Sequence, residues 1–218
     1  RVIAAFSLDP RVRGDIGHAP DAGTEVPALQ VHSGDAARSA GAGVRSAGAS
    51  APADADADAD APPVHALAVT SDGYSLRFSL AGFVEPSTRA GRRYARVPEG
   101  AEVVAVGRTT GEEVVIAATR DARAMLCRID EVNFLSGPGR GVILIKLQDD
   151  DRVIGAMVSS GDRNLMTVET TRGSEQTVST AKYDVTGRGG KGRELMQRGG
   201  FTRVVPGEVP LPVLPEGE

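Results

Sequence analysis

From Val64 to Gly207, short runs rich in Val, Ile, Leu and Ala alternate with Gly, Asp and charged turns about every ten residues. Apolar, β-branched runs bounded by turn residues predict strands. No long segment carries the 3.6-residue period of an amphipathic helix. The runs also recur. "VHALAVT" begins at Val64, "VVIAATR" at Val114 and "LMTVETT" at Leu165, so the starts differ by 50 and 51 residues. A second strand follows each: "GYSLRFS" from Gly73, "RAMLCRI" from Arg123 and "SEQTVST" from Ser174. Each unit then reaches a Gly-basic step, at Gly91-Arg92, Gly139-Arg140 and Gly190-Lys191. Each closes on a Val-rich strand: "EVVAVG" at Glu102, "RVIGAM" at Arg152 and "TRVVP" at Thr202. The pattern predicts an all-β fold of three units, 64–113, 114–164 and 165–207. Residues 1–11 open with "RVIAAF", close to "RVIGAM", and read as the closing strand of a preceding unit. Four strands per unit at this period is the arithmetic of a propeller-type array, because one unit cannot bury both of its faces alone.

Two segments break the pattern. Residues 12–62 are rich in Ala, Gly, Ser, Asp and Pro and include the run "ADADADAD". Such a tract buries too little apolar surface to offset its ordering entropy, and it reads as a disordered insertion. Residues 208–218, "EVPLPVLPEGE", form a Pro-rich tail. Within the second unit, "VILIKL" alternates so as to place Ile143, Ile145 and Leu147 on one buried face.

Composition constrains the core. Hydrophobic residues make up 40% of the 218, but aromatics only 4%, with no tryptophan, so Val, Leu, Ile and Ala must fill the interior. There is no 18-residue apolar run to cross a membrane, and no secretory leader opens the chain. The single cysteine, Cys127, has no partner for a disulfide and suits a reducing cytoplasm. In its strand-like context it reads as a small core residue. The formal net charge is -4, but the acid is concentrated in the insertion. Residues 64–207 hold 20 Lys and Arg against 17 Asp and Glu, and 182–203 hold six against two.

That basic segment contains "TGRGGKG", Thr186 to Gly192. Gly187, Gly189 and Gly192 spell G-x-G-x-x-G, but "RELMQRGGF" follows, cut by glycines, instead of the helix of a dinucleotide fold. A P-loop needs Ser or Thr after Gly-Lys, and Gly192 stands there. A plain glycine turn remains one alternative. The other is a phosphate clamp, in which glycine backbone approaches an anion and Arg188 and Lys191 add charge. Basic residues at the same step of three units favour the clamp. The shortage of aromatics argues against base-stacking readers of single strands, leaving duplex backbone as the target. His18, His32 and His65 lie in or beside the insertion without a second ligand at metal spacing, so no metal site is expected. Asp149, Asp150 and Asp151 read as an acidic turn. No nucleophile-base set and no carboxylate pair in a cleft emerges, so no catalytic residue is expected.

With these motifs in hand, the chain resembles the C-terminal domain of the A subunit of bacterial type IIA DNA topoisomerases, gyrase and topoisomerase IV. "DGYSLRFSLAGF" at 72–83 is similar to that family's "GY-x-x-R" strand, and "GRGVILIKLQDDDRVIGAMV" at 139–158 to its "G-V-x-x-I-K-L", acidic turn and "V-V-x-A". Arg188, Gly189, Gly190, Lys191 and Gly192 match the last five positions of the gyrase box Q-R-R-G-G-K-G. The box lies in the last unit here, near the domain start in gyrase, and that placement favours a topoisomerase IV-type subunit. The resemblance implies a β-pinwheel, a bent propeller whose blades exchange strands, here a partial set of blades with a disordered insertion. It implies a non-catalytic domain that binds and wraps double-stranded DNA, through Arg92, Arg93, Arg140, Arg188, Gly189, Gly190, Lys191, Gly192 and Arg193. ATP and magnesium would act on other domains of the parent enzyme, as would the DNA-breaking tyrosine; Tyr74 reads as blade packing. A homodimer of A subunits, a topoisomerase B-type subunit, and a nucleoid-associated place in the bacterial cytoplasm are implied likewise. From another class, a propeller-like protein-interaction module without a DNA role fits the repeat alone. Deleting residues 12–62 is expected to leave the melting temperature nearly unchanged and DNA binding equal or tighter, as read by circular dichroism and gel shift.

Overall fold

The computed structural model describes residues 61–85, 91–161 and 163–207. The strand expected at 1–11, nearly all of the insertion and the Pro-rich tail lie outside them.

Twelve strands and two single 3₁₀ turns make up the described residues, with no α-helix. The first unit supplies β1 (His65–Thr70), β2 (Tyr74–Phe78) and β3 (Val103–Thr109). The second supplies β4 (Val114–Thr119), β5 (Arg123–Arg128), β6 (Phe134–Leu135), β7 (Val142–Ile143) and β8 (Val153–Ser159). The third supplies β9 (Met166–Thr170), β10 (Glu175–Val178), β11 (Arg193–Glu194) and β12 (Phe201–Val205). Each unit folds its closing strand antiparallel onto its first strand, and its second strand onto the other side, giving β3-β1-β2, β8-β4-β5 and β12-β9-β10. The fourth strand of a blade comes from its neighbour. The second unit's β7 pairs with β2, and the third unit's β11 pairs with β5. Strand exchange makes the array a β-pinwheel.

Stacking explains why β1 and β4 read as nearly continuous apolar runs. Val115 and Ala117 of β4 pack with Leu67 and Val69 of β1. Their neighbours Ile116 and Ala118 point the other way, onto Met166, Val168 and Phe201 of the third blade. A strand buried on both faces loses the hydrophobic-polar alternation. Cys127 lies in the first of these interfaces, where burial, with Glu131 nearby, pushes its thiol up to about 12. The free face of the first blade is covered by its own loop, with Tyr94 stacked on Phe78 at 4.6 Å.

The expected alternation in "VILIKL" fails. Leu144 and Ile145 are both buried, at 0% and 1% exposure, while Ile143 and Leu147 are half-buried. Pairing stops at Ile143, and the chain turns into the gap between the first two blades, where both N–H groups of Leu144 and Ile145 meet Gly73 O, at 2.8 and 3.2 Å. His65 is no edge residue: it opens β1, fully buried and edge-on to Phe134. The arginine of the "GYSLR" strand, Arg77, is buried too. Its Nε donates to Val132 O and its Nη2 to Asp130 O at 3.4 Å, tying the first blade to the second unit. In the acidic turn, Asp151 is a buried cap whose Oδ1 accepts from Asp121 N at 3.0 Å and Arg152 N at 2.8 Å.

Candidate nucleic-acid interface

The interblade crossings carry the charge. At one crossing Ala95 bridges Gly139 in parallel, and Arg96 N donates to Gly139 O at 2.8 Å. At the next, Ile145 bridges Gly190, and Lys146 N donates to Gly190 O at 2.8 Å. Arg140 follows Gly139 and Lys191 follows Gly190, so two cations flank each crossing: Arg96 with Arg140, and Lys146 with Lys191. All four side chains are exposed. Arg96 and Lys146 were not singled out from the sequence, although their spacing of 50 residues matches the repeat.

The register of the glycines differs from the one read in the sequence. Gly91, Gly141 and Gly192 have φ of 72, 80 and 69°, and these are the equivalent residues. Val142 and Arg193 therefore correspond to Arg92, and the Gly91-Arg92 step lies two residues out of line with Gly139-Arg140 and Gly190-Lys191. At Gly141 and Gly192 the left-handed turn is enforced by sterics. A Cβ at Gly141 would lie 2.0 Å from Ser75 O, and one at Gly192 would lie 2.9 Å from Ala124 O and 2.8 Å from Ile145 Cδ1. Each glycine lets the donated strand descend onto the receiving blade.

The loop at 186–192 is anchored from within. Thr186 N donates to Leu126 O at 2.7 Å, Arg188 N to Glu131 Oε2 at 3.1 Å and Gly189 N to Leu144 O at 2.7 Å. Arg123 Nη1 donates to the carbonyls of Lys191 and Gly192 at 3.5 and 3.4 Å. The expected backbone nest for a phosphate is thus corrected at Arg188 and Gly189, whose N–H groups already have acceptors, one of them the Glu131 carboxylate. Gly190 has no positive φ, and a Cβ there would lie 3.4 Å from Met125 Cε, an ordinary contact. Arg188 and Lys191 still offer an anion their charge, while the N–H groups of Arg188 and Gly189 are already taken. Gly190→Ala is expected to change stability by less than about 1 kcal/mol, whereas Gly192→Ala, strained at positive φ and crowded by Ala124 O, is expected to cost about 1–3 kcal/mol. Urea denaturation of the two variants measures the difference.

The remaining candidates are spread along the units rather than gathered into one pocket. Arg188 is half-buried and Lys191 is exposed. Arg193, in β11, stands 5.5 Å from the Tyr183 ring and 3.9 Å from Asp184. Arg140 lies over the Tyr74 ring at 3.9 Å and pairs with Asp72 at 3.1 Å, so part of its charge is already matched. Arg92 and Arg93 are exposed, with Arg92 donating to Gly82 O. Among the described residues, no group of His, Cys, Asp and Glu is placed to hold a metal ion, and no helix is long and apolar enough to cross a membrane.

The family model "DNA gyrase C-terminal domain, beta-propeller" matches residues 65–110 and 113–160, the first two units. The A subunit of DNA gyrase from Aminobacterium colombiense (strain DSM 12261 / ALA-1) is 30% identical over 144 residues, 66% of this chain and 17% of that protein. Among solved structures, the C-terminal domain of DNA topoisomerase IV superimposes with a TM-score of 0.56 at 18% identity, covering 66% of this chain and 46% of that one. The C-terminal domain of DNA gyrase A gives 0.54 at 20% identity, with 66% and 47% covered. The chain thus spans about a sixth of the curated relative and a little under half of each solved domain.

Proposed function

Because this chain belongs to the DNA gyrase C-terminal domain family, we propose that it binds and wraps duplex DNA as part of a type IIA topoisomerase A subunit. One observation carries the reading to the residues: the paired exposed cations at successive blade crossings, Arg96 with Arg140 and Lys146 with Lys191. A ligand that meets the same charge at each blade must itself repeat its charge, as a nucleic-acid backbone does. Arg188, Arg193, Arg92 and Arg93 extend the track. Gly189, Gly190 and Gly192 act by shaping the loop that presents Arg188 and Lys191. Exposed aromatic platforms for unstacked bases are few, which supports duplex over single strands. Holding duplex along successive blades bends it. Bending 20–30 base pairs by 40–90° costs on the order of 1–6 kcal/mol, which several phosphate contacts with counterion release offset.

In the parent enzyme this domain would choose and present a DNA segment for passage through a second duplex. Strand breakage, ATP and magnesium would belong to other domains, as would contacts with a B-type subunit or with a second copy of the A subunit. A bacterial, nucleoid-associated cytoplasmic setting goes with that role. The finer reading as a topoisomerase IV-type subunit rests on the position of the box in the last unit; the two solved domains match almost equally.

The test is a binding series with mixed-sequence duplex at 50–200 mM salt. Affinity that falls steeply with salt, equally for unrelated sequences, is expected. No binding at the lowest salt sinks the proposal and leaves a protein-interaction module in its place.

A further inference from the structure

The three blades repeat one turn. In each, the residue after the first strand donates its N–H to the residue just before the closing strand: Ser71 to Glu102 O at 2.8 Å, Arg120 to Arg152 O at 2.9 Å and Thr171 to Gly200 O at 2.9 Å. The flanking strands align, with Thr70 opposite Val103, Thr119 opposite Val153 and Thr170 opposite Phe201. Gly73, Ala122 and Gly173 all take left-handed φ, at 84, 57 and 80°. Asp72, Asp121 and Arg172, the residues before them, are therefore equivalent.

The backbone repeats and the charge reverses. Beyond the crossing cations, residues 71–73 and 97–102 of the first blade hold Asp72, Glu99 and Glu102, a net -3. Residues 120–122 and 147–152 of the second hold Arg120 and Arg152 against Asp121, Asp149, Asp150 and Asp151, a net -2. Residues 171–173 and 197–200 of the third hold Arg172 and Arg198 and no acid, a net +2. Leu144 and Leu195 make the same bond at successive blades, to Gly73 O and Ala122 O. The stretch from Leu195 to Phe201 is three residues shorter than that from Leu144 to Val153, and what it lacks is the acidic turn.

The two arginines lie together. Thr171, next to Arg172, bonds Gly200 in both directions, with Gly200 N donating to Thr171 Oγ1 at 3.3 Å, and Arg198 stands two residues before Gly200. Both side chains are exposed. Among the described residues neither has an ion-pair partner, whereas Arg120 lies 3.6 Å from Asp121 and Arg140 3.1 Å from Asp72. Glu175 opens β10 just beyond the turn and offsets part of the charge; the end of the blade stays positive. It also joins the track of crossing cations. From Lys191 the chain follows the second blade's turn, with Leu195 N–H on Ala122 O and Phe201 N–H on Arg120 O, both at 2.8 Å, and Arg198 lies between these bonds.

We propose that Arg172 and Arg198 form a phosphate site at the turn end of the third blade, and that a duplex following the crossings turns onto this end only there. The inference rests on the duplex-binding reading above. Carboxylates at the first two turns repel a phosphate backbone, and paired guanidinium groups at the third attract it.

Salt series with mixed-sequence duplex test the proposal. Arg172→Ala combined with Arg198→Ala is expected to lower the slope of log affinity against log salt by up to about 1.8, at roughly 0.9 for each contact. Arg172→Asp installs the residue of the first two turns. Thr70 Oγ1 donates to Asp72 in the first, so the turn accommodates it, and the loss of affinity should exceed that of Arg172→Ala. Arg163 is exposed at the opposite end of the strands, between β8 and β9. Arg163→Ala is expected to leave the slope unchanged, and circular dichroism checks each fold. An unchanged slope in the double variant, while Lys191→Ala lowers it, overturns the proposal and leaves the duplex reading standing. An equal loss in Arg163→Ala also overturns it, because the arginines then act only through net charge. A parent chain that binds no duplex removes both.

Discussion

Ile145→Asp unfolds the domain or drives it to aggregate, the largest stability effect expected of any single change here. Ile145 is 1% exposed and belongs to the cluster that joins Leu67 and Val69 of the first blade to Val115 and Met125 of the second. Its backbone also bridges Gly190 of the third unit, so three units meet at this residue. Removing the buried side chain alone costs about 2–5 kcal/mol. The carboxyl that replaces it has no partner, and an unpaired buried polar or charged group adds several kcal/mol or forces its own protonation. Together these rival the whole stability of a domain, about 5–15 kcal/mol. The neighbouring Lys146 is exposed, and Lys146→Gln should melt within a few degrees of the parent. Circular dichroism melts and gel filtration of the two variants settle the contrast. A folded, monomeric Ile145→Asp protein with the parental melting temperature refutes the placement of this residue at the junction.

The same segment shows where the sequence was legible and where it was not. The long strands could be read directly, because β1 and β4 are buried on both faces and appear as nearly continuous apolar runs, and β9 follows at the same period with Met166, Val168 and Thr170 buried and Thr167 and Glu169 half-buried. The "VILIKL" segment misled because its alternation belongs to a strand of only two residues, Val142–Ile143. After Ile143 the chain leaves the sheet, and Leu144 and Ile145 are buried by two different surroundings rather than by one face. The glycine register misled for another reason. Gly139 and Gly141 are the same residue type two positions apart, and it is the positive φ of Gly141, at spacings of 50 and 51 residues, that marks it as the partner of Gly91 and Gly192. Residue types do not carry that information. Arg77 and Asp151 look like surface charges in sequence and are buried structural groups, because Arg77 donates to backbone carbonyls of the second unit and Asp151 accepts from backbone N–H groups within its own. Arg96 and Lys146 did carry a readable signal, their repeat spacing, hidden by the misaligned glycine step in the first unit.

Replacing Arg188 and Lys191 with Ala is expected to reduce the slope of log affinity against log salt by up to about 1.8, at roughly 0.9 for each phosphate no longer neutralised. Over a fourfold change in salt, that difference amounts to about tenfold in relative affinity. The two residues should not contribute equally. Lys191 is exposed, while Arg188 is half-buried and its N–H is held by Glu131, so Lys191→Ala alone should account for the larger share. Lys146→Ala stands at the same crossing and is expected to add a comparable step, although it lies outside the glycine box. Arg140→Ala should do less than its exposure suggests, because Asp72 at 3.1 Å already pairs with it and a surface ion pair surrenders part of its charge to its partner. The effects should be the same for any mixed-sequence duplex, since phosphate contacts position the ligand without reading bases. Gel-shift series from 50 to 200 mM salt, with folding checked by circular dichroism, give each slope. If Lys191→Ala and Lys146→Ala leave slope and affinity intact, the crossings are only where blades exchange strands, and the repeated cations are solvated ends of that exchange.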